Sequence, residues 1–106
     1  MVYTIKELQQ KITPITRKYD IPAVYIFGSY ARGQATEESD VDMLIDRTGS
    51  KIVTMFDMGA LYSELNEKLG KSLDIVTEDA LTQDEVKRRT PHFAEEITRE
   101  RVAIYE

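Results

Sequence analysis

The chain carries GSYARG at residues 28–33 and SDVD at residues 39–42, and ten residues separate Ser29 from Asp40. The first segment follows the apolar run AVYIF, which predicts a buried strand that ends in a glycine–serine turn. The second segment places Asp40 and Asp42 two positions apart, so both side chains should project from one face of a strand. Backbone N–H groups of such a turn can hold a phosphate, and paired carboxylates can hold the cations that neutralise it.

Hydrophobic periodicity predicts helices and strands in alternation along the chain. Thr4 and Glu7 form a capping-box pattern that opens a first helix, and Pro14 should kink or split this helix because proline removes a backbone donor. After the apolar strand, Ser29 can cap a short helix. A polar loop at residues 33–38 and a strand at residues 41–46 are predicted next, with Val41, Met43 and Ile45 on one face of the strand. A third helix and a strand at residues 72–77 follow. The apolar stripe by which this helix should face the core consists of Met55, Met58, Tyr62, Leu65 and Leu69.

The remainder of the chain completes a single domain. Gly70 is placed to end the third helix as a C-cap. Thr82 with Glu85 predicts another capping box, and Thr90-Pro91 should interrupt that helix and restart it. Residues 102–105 fit either a last short strand or a frayed helix end. The order α-β-α-β-α-β-α predicts an α/β (α+β) fold, a small mixed sheet covered by helices, in one domain over residues 1–106.

Composition and net charge exclude several kinds of site and partner. The chain has 106 residues, a net charge of −5 and no cysteine, which excludes disulfides and thiolate metal sites. An acidic chain repels the DNA backbone, and the basic run at residues 87–89 is more typical of a solvated helix face. No apolar run is long enough for a membrane span, and we expect a cytoplasmic protein. The charge favours a small phosphate ligand with its metal over a polynucleotide.

The acidic residues predict a metal-dependent phosphate chemistry. Side chains two apart on a strand lie about 6.6 Å apart along it, so Asp40 and Asp42 can converge on one pair of Mg²⁺ ions. Asp74 lies in an apolar strand, where an unpaired carboxylate is costly to bury. If that strand neighbours the first two aspartates, Asp74 can complete the metal shell and accept the proton of an incoming hydroxyl.

The turn supplies the remaining candidates. Gly28 permits close backbone approach to a terminal phosphate, Ser29 can hydrogen-bond it, and Arg32 can neutralise it. His92 is the only histidine, and its position favours a surface or capping role over that of a catalytic base. For Tyr30, stacking on a nucleotide base and packing in the core both remain open.

These residues together resemble the DNA polymerase β-like nucleotidyltransferase superfamily, whose signature is Gly-Ser, a spacer, Asp-x-Asp and a third Asp on a later strand. The run FGSYARGQATEESDVDMLI at residues 27–45 is similar in particular to the minimal nucleotidyltransferase (MNT) family. The resemblance covers nearly the whole chain. The matching motif positions are Gly28, Ser29, Asp40, Asp42 and Asp74.

The resemblance implies a specific reaction. Members of the MNT family are typically antitoxins that transfer AMP from ATP, with magnesium, to a tyrosine of a HEPN ribonuclease toxin and so silence it. Two alternatives stay open, namely an antitoxin that neutralises its toxin by binding alone and a transferase that acts on a small molecule or an RNA end. The sequence does not decide whether the chain forms a homo-oligomer.

Overall fold

The computed structural model describes residues 2–81 and 92–106. Helices and strands alternate through these two stretches, as the periodicity predicts. Their bounds are α1 Ile5–Lys18, β1 Ala23–Phe27, α2 Gly28–Ala31, β2 Val41–Asp46, α3 Met55–Leu69, β3 Leu73–Thr77, α4 Glu78–Leu81, α5 Phe93–Glu100 and β4 Val102–Tyr105.

The strands form a mixed four-stranded sheet in the order β3-β2-β1-β4. The central strand β1 is antiparallel to both β2 and β4, whereas β2 and β3 are parallel. A parallel pair needs a crossover connection, and α3 provides it. The predicted fold class is therefore confirmed, and residues 102–105 form an edge strand rather than a helix end.

Both faces of the sheet are covered by apolar contacts. On one face, α1 and α3 pack against Val41, Met43 and Ile45, which share a face as predicted and are fully buried. On the opposite face, Phe27 and Leu44 pack against α4 and α5. Because side chains alternate along a strand, Asp42 lies on this second face, beside the end of β1.

The helix ends follow the predicted chemistry at two of three positions. Thr4 and Glu7 form the capping box, and Gly70 ends α3 with a φ of 64°. The prediction that Ser29 caps α2 is wrong, because β1 runs directly into the helix at Gly28 and Phe27 occupies the N-cap without a side-chain hydrogen bond. Ser29 therefore lies inside the first turn of α2.

Two predictions about the long helices are corrected. Helix α1 continues past Pro14, so the predicted split is wrong. Pro14 and Gln10 are both exposed, and water can serve the Gln10 carbonyl that proline leaves without a donor. In α3 the buried residues are Leu61, Leu65 and Leu69, whereas Met55 and Tyr62, predicted as core, are exposed. The inward face of α3 is rotated toward Leu61.

Several predictions fall near or inside the stretch that is not described. The capping box of Thr82 and Glu85, the break at residues 90–91 and the basic run at residues 87–89 all lie outside the described residues. The described helix α5 has His92 at its N-cap, and this side chain is exposed as predicted. Within the described parts of the chain, none of the helices has the length and apolar character that crossing a membrane requires.

Candidate active site

The turn after β1 lies directly against Asp42. Gly28 has a φ of 71°, a left-handed conformation that L side chains rarely adopt. A Cβ placed on Gly28 would lie 2.2 Å from Oδ2 of Asp42, which no real contact allows. Gly28 is thus required twice, by its backbone conformation and by the carboxylate beneath it.

The second and third aspartates occupy neighbouring strands. In the parallel pair of β2 and β3, Asp42 is the register partner of Asp74. Adjacent strands lie about 4.8 Å apart, and partnered residues project from the same face. Asp40 immediately precedes β2, and the Val41 amide donates to the Ser72 carbonyl at 3.0 Å, which fixes the start of the strand. The strand of Asp74 therefore neighbours that of Asp42, which is the condition under which Asp74 can join the first two aspartates.

The carboxylates share one electrostatic environment. Burial raises the pKa of Asp42 to about 6, and the negative charges of Asp74 and Asp40 add to this rise, while the positive charge of Arg32 opposes it. All four groups therefore lie close enough to interact. A cation bound among the carboxylates would offset the repulsion between them, which adds to the effect of burial on the pKa of Asp42.

The donor set fits magnesium in its chemistry. Carboxylate oxygens are hard ligands, and Mg²⁺ is usually held by one or two carboxylates together with substrate phosphates and water. Among residues 2–81 and 92–106, no three Asp, Glu, His or Cys side chains are already arranged as ligands around a common metal position. Asp42 and Asp74 are thus register partners with Asp40 just before β2, but the three aspartates do not form a preformed three-ligand metal site.

Arg32 is held at the edge of this cluster by two side chains. Its Nη1 donates to Oε2 of Glu100 at 3.0 Å, and its Nε donates to Oε1 of Gln34 at 3.2 Å. The backbone N–H of Gln34 donates to the Ser29 carbonyl at 2.9 Å, which closes the turn around the glycine–serine pair. Sequence reasoning missed Glu100, since it lies 68 positions from Arg32 and no local pattern marks it.

The loop before Asp40 is fixed from two sides. The Thr36 amide donates to Oγ of Ser39 at 2.8 Å, and the Ser39 amide donates back to the Thr36 carbonyl at 3.0 Å. Lys71, just before β3, donates from Nζ to the Glu37 carbonyl at 2.9 Å. Sequence reasoning missed the roles of Ser39 and Lys71; a serine three positions after a turn threonine is the only local signal.

Tyr30 belongs to the core. Its side chain is buried and packs in the cluster beneath α1 and α3, and its hydroxyl has no hydrogen-bond partner among the described residues. The packing alternative is therefore correct, and stacking on a nucleotide base is not available to this ring.

Cavities lie at both ends of the sheet. A shallow cavity of about 310 Å³ borders Asp40 and is lined by residues 37–40 and 69–72. A cavity of about 550 Å³ lies at the opposite end, around Asp46, Arg47 and Asp79. The larger one is remote from the aspartate cluster, because it lies at the carboxyl ends of β2 and β3 whereas the cluster lies at their amino ends. Size alone therefore points to the wrong end of the molecule.

Comparisons with known proteins agree on the type of domain. The family model described as polymerase beta, nucleotidyltransferase matches residues 10–106. A protein of Methanocaldococcus jannaschii that is provisionally named protein adenylyltransferase MJ0435 is 39% identical over 77 residues, which cover 73% of this chain and 81% of the relative. The protein adenylyltransferase MntA of Thermococcus cleftensis is 30% identical over 82 residues, which cover 74% of this chain and 81% of the relative.

Solved structures share the fold. A structure described provisionally as a minimal nucleotidyltransferase superposes with a TM-score of 0.68 at 28% identity, over 94% of this chain and 95% of that one. A toxin–antitoxin structure with AMP-PNP superposes with a TM-score of 0.69 at 18% identity, over 92% of this chain and 72% of that one.

Proposed function

The chain belongs to the polymerase beta nucleotidyltransferase family, and we propose that it transfers AMP from ATP, with magnesium, to a hydroxyl of a protein toxin. The acceptor we propose is a tyrosine of a HEPN ribonuclease, so that the modified toxin is silenced and this chain acts as its antitoxin. Support comes from relatives that are named protein adenylyltransferases and from the fold shared with toxin–antitoxin structures.

The observation that carries the proposal is the pairing of Asp42 with Asp74 beside Gly28. Nucleotidyl transfer requires that charge be neutralised and that the attacking and leaving oxygens be held in line. Three carboxylates at the amino ends of two parallel strands would hold the cations that meet the first requirement. The glycine turn, which lies against Asp42, provides a place where phosphate can approach backbone N–H groups.

Each residue then has a role in the proposed reaction. Asp40 and Asp42 would hold Mg²⁺, which supplies charge neutralisation at the phosphates when bound. Ser29 and Arg32 would bind the terminal phosphates. Asp74 would complete the cation site and accept the proton of the tyrosine hydroxyl, whose unperturbed pKa near 10 makes it a poor nucleophile. The hydroxyl oxygen forms a bond to the α-phosphorus, the bond from that phosphorus to the bridging oxygen breaks, and pyrophosphate leaves with the electron pair.

Intact-mass spectrometry of the toxin tests this function. Wild-type protein with Mg²⁺ and ATP should add the mass of AMP to the toxin, and Asp74→Asn should bind toxin and nucleotide without adding it. The matched control is Asp46→Asn on β2, which removes an acid at the other end of the sheet. If the wild type protects cells while the toxin stays unmodified, and Asp74→Asn protects equally well, the chain is an antitoxin that acts by binding alone.

A further inference from the structure

Glu100 lies far from the aspartates in sequence and contacts the site through one residue. Its Oε2 accepts from Nη1 of Arg32 at 3.0 Å, and Gln34 accepts from Nε of the same guanidinium at 3.2 Å. Nη2 of Arg32 makes no hydrogen bond to any described residue. Two nitrogens of the guanidinium are therefore fixed by the protein, and the third is left to bind something else.

Arg32 belongs to the turn that lies against the acidic cluster, because its backbone N–H donates to the Gly28 carbonyl at 3.1 Å and Gly28 lies directly against Asp42. The positive charge of Arg32 lowers the pKa of Asp42 against the effect of burial and of the neighbouring carboxylates. Arg32 is therefore held on the same turn as Gly28, next to the strand of Asp42, which is one of the carboxylates that would hold the cation.

Glu100 is itself firmly placed. One turn earlier on α5, Ile97 is buried against Phe27 and Leu44 of the sheet. On its other side, Arg101 donates to Oε1 of Glu78 at 3.2 Å and stacks 4.2 Å from the ring centroid of Tyr25. The last turn of α5 therefore cannot drift without breaking one of these contacts.

We infer that Glu100 is a positioning residue, which holds the Arg32 guanidinium so that its free Nη2 edge binds the terminal phosphates of the nucleotide. This inference rests on the proposed function. A flexible arginine loses side-chain entropy when it binds phosphate, and a guanidinium already fixed at two nitrogens loses less. Glu100 would therefore act on nucleotide affinity through Arg32 and not on the chemical step.

A double-mutant cycle tests the coupling, with calorimetric binding of Mg²⁺–AMP-PNP as the readout. We expect Arg32→Ala to weaken binding about tenfold, as for a charge-assisted hydrogen bond to phosphate. Glu100→Ala should weaken it about threefold, as for a half-exposed ion pair, and the double variant should bind no more weakly than Arg32→Ala. In steady-state transfer, Glu100→Ala should raise KM for ATP and leave kcat within about twofold.

The controls separate positioning from folding. Glu96→Ala removes an exposed acid of the same helix and should bind like wild type. Glu100→Gln keeps an oxygen that can accept a hydrogen bond from Nη1 of Arg32. Its affinity for Mg²⁺–AMP-PNP should therefore lie between those of the wild type and Glu100→Ala. This variant replaces Glu100→Ala in the test if the alanine variant is unstable.

Two results would overturn the inference while the proposed function stands. One is a Glu100→Ala protein that binds Mg²⁺–AMP-PNP as tightly as wild type, or more tightly, while Arg32→Ala binds weakly. The other is a double variant whose loss is the product of the single losses. If Arg32→Ala itself binds normally, the phosphate role of Arg32 fails and the positioning role of Glu100 fails with it.

Discussion

The two ends of the β2–β3 pair each carry acidic side chains, but Asp42 at one end and Asp79 at the other interact differently with arginine. At the amino ends, burial and two neighbouring carboxylates raise the pKa of Asp42 to about 6, against a single opposing arginine. At the carboxyl ends, the Arg47 guanidinium donates to both oxygens of Asp79 at 2.8–3.2 Å and holds the pKa of Asp79 below its usual range. The fold itself stabilises the charged form of Asp79, whereas Asp42 has a raised pKa, which is typical of residues at functional sites.

The largest expected effect is on the rate of transfer, and it separates the two aspartates of β2, Asp42 near its amino end and Asp46 at its carboxyl end. Asp42→Asn should lower AMP transfer by about a thousandfold or more, because the cation site loses a charge at its centre. Asp46→Asn lies on the same strand and the same face, and it should transfer at nearly the wild-type rate. The comparison fails if a well-folded Asp42→Asn protein keeps full activity.

Two glycines with the same backbone conformation sharpen the comparison. Gly28 has a φ of 71° and Gly49 a φ of 70°, but only at Gly28 would a Cβ meet another group within 4 Å. Gly49→Ala should cost about 1 kcal/mol in unfolding free energy from backbone strain and leave activity unchanged.

Gly28→Ala carries the same strain and must also displace Asp42. We expect transfer to fall about a hundredfold, as is typical when a reacting group is moved by about 1 Å. Chemical denaturation and initial rates measure the two quantities separately. Equal activity in the two alanine variants would mean that the contact between the turn and Asp42 does not matter for the reaction.

Two serines that close turns provide a smaller contrast. Ser39 accepts from the Thr36 amide at 2.8 Å before Asp40, and Ser50 accepts from the Ile52 amide at 3.1 Å after β2. Each alanine variant should lose about 1 kcal/mol of stability, the worth of one neutral hydrogen bond. Only Ser39→Ala should also slow transfer, by about fivefold if a comparable energy is lost in placing Asp40. A slower Ser50→Ala protein would contradict this division.

The smallest effect is on stability as a function of pH in metal-free protein. Because the pKa of Asp42 is raised in the folded state, the native protein binds more protons than the unfolded chain between about pH 4 and pH 6, and stability falls as the pH rises through this window. Asp79 has the opposite effect on stability. Because its pKa is lowered in the folded state, it stabilises the fold above its unfolded pKa, and this stabilisation is lost on acidification. These effects are measured by thermal unfolding with a chelator present. Between pH 4 and pH 6, the stability of Asp42→Asn should fall less with rising pH than that of the wild type. On acidification, Asp79→Asn should lose less stability than the wild type.

The parts of the site that sequence reasoning reached are those set by local rules. Strand periodicity places Asp42 on the face of β2 opposite Val41 and Met43, whereas the sequence leaves open whether the strand of Asp74 is its neighbour. The partners of Arg32 and of the Glu37 carbonyl depend on contacts 68 and 34 positions apart, for which no local pattern exists.

The wrong predictions share a different cause. Pro14 looks like a helix breaker in sequence, but Gln10, whose carbonyl it leaves without a donor, is an exposed residue. Met55 fits the apolar stripe of α3, yet 90% of its surface stays exposed, because periodicity does not reveal which residue of a stripe reaches the sheet. Both questions are answered only by where the helix packs.

The edge strand β4 has a consequence for how the protein folds. It pairs with β1 across most of the chain, and Tyr25 and Glu106, which share a hydrogen bond, lie 81 positions apart. Contacts this distant close slowly, whereas β2, α3 and β3 form a local unit. We therefore expect the aspartates to come together early in folding, while the Arg32–Glu100 pair, which depends on the helix just before β4, forms among the last contacts.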